Sequence, residues 1–145
     1  MKKLLIAATI LATTFTTAVS ADFILGENNF VVGTSSTHSN VFMMVRKMSS
    51  GGYQASFHIM YSNANEMQCA KNQDTIIKVN GQRLKALIHK AGPLQCGYYP
   101  NSKAAADFLL SDLYSKESIE WGGVIFPTKG VNQAVRELMN TKGIL

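Results

Sequence analysis

The chain has 145 residues, a formal charge of +5 and hydrophobic residues at 46%, values of an ordinary globular protein and not of a disordered or strongly basic one. The charge is mild and scattered, without the concentrated basic stripe of a nucleic-acid binder, so nucleic acid is not expected as a partner. Two cysteines, Cys69 and Cys96, and three histidines leave little material for a metal centre.

The first segment carries an address. Lys2 and Lys3 form a positive region, Leu4 to about Ala18 is apolar with interspersed threonines, and Val19-Ser20-Ala21 has the small-residue spacing of a signal peptidase site. Residues 1–21 therefore read as a secretory signal, and residues 22–145 as a single exported domain, periplasmic or secreted. Loss of Lys2 and Lys3 lowers the charge from +5 to +3. No cysteine follows the cleavage position, which argues against a lipid anchor, and no later segment approaches the ~18 apolar residues of a membrane span. The short Lys-Lys signal suggests a bacterial source. In an oxidising compartment Cys69 and Cys96 are expected to form a disulfide. No C-x-x-C and no nearby His or Asp at ligand spacing supports a redox or metal pair.

From Asp22 to Tyr99 the chain reads as strands. Val41, Met43 and Val45 alternate along Val41–Lys47, and Ser49-Ser50-Gly51-Gly52 leads into Tyr53, Ala55, Phe57, Ile59 and Tyr61 with polar residues between them, a hairpin with one buried face. Asp74–Val79 and Gln82–Lys90 flank Asn80-Gly81, the dipeptide suited to a type I′ turn. A two-residue loop places Ile77 opposite Leu84 and Thr75 opposite Ala86 on one side. Lys78 then faces Arg83, and Ile76 lies beside Lys85, on the other.

Past Pro100 the period changes. Asn101 or Ser102 caps a helix in which Ala105, Phe108, Leu109 and Leu113 recur, through about Ser115. Ser118–Phe126 reads as one strand around Trp121, weakened by Gly122-Gly123, which suggests a bulge or a close backbone approach, and closed by Pro127. Val131, Ala134, Val135 and Leu138 form a second apolar helical stripe, with Gly143 as a stop. The expected fold class is α+β: a hairpin-rich, mainly antiparallel sheet covered by two helices of the C-terminal half and stapled by one disulfide.

Catalytic motifs are absent: no G-x-S-x-G, no H-E-x-x-H, no phosphate-binding or dinucleotide loop. His58 or His89 with a serine and an acid such as Asp74 would be the raw material of a hydrolase, and His38 sits in a Ser/Thr-rich connection. Glu117 and Glu120 are near one another at a turn where solvated acids are ordinary. No catalytic residue, cofactor or metal ligand is assigned. The methionines, Met43, Met44, Met48, Met60 and Met67 among them, read as gap fillers or a sheet cover, since no M-x-M run occurs.

Two constellations suit recognition. Lys78, Arg83, Lys85 and His89 share one face of the Asn80-Gly81 hairpin, and like charges placed opposite one another repel unless an acidic ligand offsets them. Tyr98 and Tyr99, in a connection constrained by Cys96, offer apolar rings with hydroxyl handles. The expectation is a small binding protein of the cell envelope, an inhibitor or accessory factor, whose partner is a protein or an anionic envelope component. A small hydrolase is the alternative and requires a pocket where a histidine, a nucleophile and an acid converge. A structural subunit of a surface assembly is a third reading and requires a long unpaired strand edge.

Overall fold

The computed structural model describes residues 23–26 and 30–140. The expected signal segment and the Gly143 stop lie outside the described residues. Nine strands form one antiparallel sheet: β1 (Phe23–Leu25), β2 (Phe30–Thr34), β3 (Val41–Lys47), β4 (Tyr53–Met60), β5 (Gln73–Val79), β6 (Gln82–Gly92), β7 (Gln95–Pro100), β8 (Ser118–Trp121) and β9 (Val124–Pro127). Two helices, α1 (Lys103–Ser115) and α2 (Val131–Asn140), follow β7 and β9. The spatial order is β1-β2-β3-β4-β7-β6-β5-β8-β9. The fold is the α+β arrangement expected from the sequence.

The register follows from the turns. Asn80 and Gly81 adopt φ of 47° and 82°, the double positive φ of a type I′ loop, and they pair Ile77 with Leu84 and Lys78 with Arg83. The region 118–126, expected as one strand, is a hairpin. Gly122 and Gly123 take φ of 57° and 84° and turn β8 back into β9, pairing Trp121 with Val124. The two glycines are the turn, not a bulge within a strand. A second correction concerns Tyr98 and Tyr99, which lie within β7, hydrogen-bonded between β4 and β6, rather than in a connection.

Four strands separate β4 from β9 in the sheet order, yet the rings of Phe57 and Phe126 are 5.6 Å apart. The sheet must therefore curl, and its far edge is held near β2 and β3 by Ser36 N donating to the Ile125 carbonyl at 2.9 Å and Ile125 N to Thr37 Oγ1 at 3.1 Å. The inner face of the curl is the core, built on Phe23, Met43, Phe57 and Phe126 with Leu109 and Leu113 of α1 and Val131 and Leu138 of α2. Ser102 caps α1 by accepting from Ala105 N. Trp121 is half-buried against Phe57, with ring centroids 4.6 Å apart.

Cys69 and Cys96 are bridged, with Cα atoms 5.8 Å apart, so the loop after β4 is fastened to β7. They form a small second cluster with Ile88. No helix among the described residues is long and apolar enough to cross a membrane.

Candidate functional site

Strand alternation sends every second side chain to the outer face of the curl, and there polar and apolar residues of the central strands come together. On β3 these are Phe42, Met44 and Arg46; β4 sets His58 beside Phe42, Ser56 beside Met44 and Gln54 beside Arg46. On the other flank of β3, β2 sets Phe30 beside Arg46 and Val32 beside Met44. With Gln95 and Tyr99 of β7, all of these but Gln54 line a groove of about 450 Å³.

The groove floor is a closed hydrogen-bond chain. Gln95 Nε2 lies 2.8 Å from His58 Nδ1, and His58 Nε2 lies 2.8 Å from Ser56 Oγ. With the amide donating to Nδ1, the neutral imidazole carries its proton on Nε2 and donates to the serine oxygen. Ser56 and His58 are each only 2% exposed, so the polar side of β4, which alternation reads as solvated, is buried at this point. Phe42 stacks on His58 at 5.2 Å and Tyr99 meets it edge-on at 5.5 Å. Burial pushes the His58 pKa down to about 4, and the positive fields of His89 and Arg46 act in the same direction.

This geometry does not make a nucleophile. The lone pair a general base would use points at Gln95 rather than Ser56, the imidazole is a poor base, and the hydroxyl is shielded from substrate. Asp74, the acid a triad would recruit, accepts instead from Asn101 Nδ2 at 2.7 Å. Among the described residues no acid converges with a histidine and a nucleophile in the groove.

Above the floor lies a layer of cation and rings. Arg46 donates from Nε and Nη2 to Gln54 Oε1, at 3.2 and 2.8 Å, and its guanidinium carbon is 5.5 Å from the Tyr99 ring centroid. His89 stacks on the same ring at 4.3 Å. Burial raises the Tyr99 pKa while Arg46 opposes the shift. Gly97 makes the layer possible, because a Cβ there would stand 2.4 Å from the Tyr99 ring.

Of the residues singled out in the sequence, His89 and Tyr99 are brought into contact. Lys78, Arg83 and Lys85 are exposed on the outer face of β5 and β6, so His89 links their ribbon to the groove. Tyr98 points the other way, packing edge-on to Trp121 at 4.9 Å on the core side. Arg46, Ser56 and Gln95 were missed by sequence reasoning; the only signal was that Arg46, Ser56 and His58 occupy the polar phase of β3 and β4. Among the described residues no group of His, Cys, Asp or Glu is placed to hold a metal ion.

The edges of the sheet are short. β1 has three residues and the Ile125 backbone of β9 is already engaged by Ser36 and Thr37, whereas β5 meets β8 only at Val79 and Trp121, so residues 73–78 have no strand partner on that side among the described residues. No family profile, no curated protein and no solved structure matches the chain.

Proposed function

We propose that the chain is an exported binding protein that engages an acidic partner, a protein or an anionic component of the cell envelope, through the outer face of its curled sheet. The carrying observation is the charge of that face. Arg46, Lys78, Arg83 and Lys85 share it with two acids, and each acid is already used within the fold: Asp74 accepts from Asn101 and Glu120 Oε1 from Gly123 N. Such a net-positive surface raises encounter rates with acidic partners and disfavours basic ones. Export is supported by the amino-terminal segment and is consistent with the Cys69–Cys96 bridge, which persists in oxidising compartments. An inhibitor and an accessory factor of the envelope both act in this way, by binding without chemistry.

The test is capture from envelope extract and culture medium by oxidised protein lacking residues 1–21. A discrete, salt-sensitive partner retained by the native protein and lost by K78Q/R83Q/K85Q is the expected result. Capture unchanged by the triple substitution would remove the face from the account.

A further inference from the structure

Among the described residues Arg46 is a cation without a counter-ion. It is half-buried, its Nε and Nη2 bonds go to a neutral amide oxygen, and no carboxylate among the described residues pairs with it. A guanidinium withdrawn from water in this way favours an anion that can take its uncommitted N–H groups, and a carboxylate matches the fork.

The rest of the groove asks for something different. From Arg46 the outer side chains of β3 run through Met44 to Phe42, flanked by Phe30 and Val32 of β2, an apolar strip of roughly 13 Å at about 3.4 Å per residue. Among the described residues no acidic side chain lines it. Ser56, His58 and Gln95 are bonded to one another, and no buried polar side-chain atom among the described residues lacks a partner. The volume of about 450 Å³ lies within the range of small-molecule sites.

We propose that this groove binds an amphiphilic monocarboxylate, a medium-chain fatty acid, with its carboxylate on Arg46 and its chain along Met44, Val32 and Phe42. A single cation at one end of an apolar strip suits one negative charge on a long apolar body better than a multiply charged phosphate. A peptide strand is disfavoured because β3, which runs along the groove, is paired with β2 on one side and β4 on the other. The proposal rests on the reading of the outer face as anion-binding, but it is tested with purified protein and a defined ligand, so either can fail without the other.

The probe is decanoate, titrated calorimetrically into oxidised protein lacking residues 1–21 at neutral pH, below its micelle-forming concentration. Saturable binding at one site is expected, weakened at least tenfold in R46M and at least tenfold weaker for decanol, which has the chain without the charge. Acetate, with the charge and no chain, should give no measurable heat. Absence of decanoate binding at millimolar concentration, equal binding of decanol, or wild-type affinity in R46M would each overturn the proposal. The comparison with decanol uses the native protein alone and decides the matter even where R46M does not fold.

Discussion

The side-chain amide of Asn80 donates to Asp112 Oδ2 at 2.8 Å, joining the β5–β6 turn to the last turn of α1. The same side chain accepts from Glu120 N at 2.8 Å, and Asn80 N donates to the Glu120 carbonyl at 2.9 Å. One turn residue thus fixes a hairpin, a helix and β8, in a left-handed conformation that asparagine tolerates. Asn80→Ala strains the turn and leaves Asp112, 9% exposed, without this donor. The expected loss is about 3 kcal/mol in urea unfolding. Asn80→Gly, which keeps the backbone freedom and loses only the amide, should cost about 1–2 kcal/mol; equal costs would assign the whole effect to the side-chain bonds.

His58 makes stability depend on pH. Its pKa falls from 6.5 to about 4 on folding, so between those values the unfolded chain binds more protons than the folded one. Stability then rises with pH through this window: the contribution is complete above about 6.5, declines as the pH drops, and is lost below about 4. The full effect is on the order of 3 kcal/mol. Unfolding midpoints measured from pH 4 to 7 should shift less steeply for His58→Gln than for the native protein. Parallel curves would show that His58 is not the group responsible.

The disulfide closes a loop of sequence separation 27. Confining that loop in the unfolded chain contributes about 3–4 kcal/mol under the chain-entropy description. The double substitution C69A/C96A should lower stability by about that amount, and non-reduced peptide mapping of exported protein should yield one linked peptide. Two alkylatable thiols would contradict the bridge.

Gly97 supports the groove by leaving room for Tyr99. In Gly97→Ala the new methyl would meet the ring at 2.4 Å, so Tyr99 must move and its stacking with His89 must break. A cost of about 1–3 kcal/mol is expected, as for other overpacked sites. In Gly97→Ala combined with Tyr99→Ala the clash is gone, and the additional cost of the alanine at 97 should fall below about 0.5 kcal/mol; a persisting penalty would place the strain in the β7 backbone.

What the sequence discloses is local. Asn80-Gly81 sets the register of β5 and β6 by its own backbone preference, so the pairing of Lys78 with Arg83 is readable from two residues. The apolar stripe Val131, Ala134, Val135 and Leu138 marks the buried side of α2 in the same way. The groove has no such local code. Gln95 reaches His58 across 37 positions of sequence, and that contact exists only because β7 inserts between β4 and β6, an order that no turn dictates. Period-2 patterning also assigns Ser56 and His58 to solvent, whereas Phe42 and Tyr99 cover the imidazole from neighbouring strands. The hairpin of β8 and β9 escaped for a different reason: Gly122-Gly123 serves equally as a bulge or as a turn until a partner strand selects the turn.

The most direct measurement is the affinity of the captured partner for two matched variants at low and moderate salt. K78Q/R83Q/K85Q removes charge from the outer face, and K103Q/K116Q/R136Q removes the same charge from the helix side. The account predicts at least a tenfold loss for the first, about 1.4 kcal/mol, with a weaker salt dependence, and native affinity for the second. Equal losses in both, or a loss confined to the helix-side variant, would contradict an outer binding face.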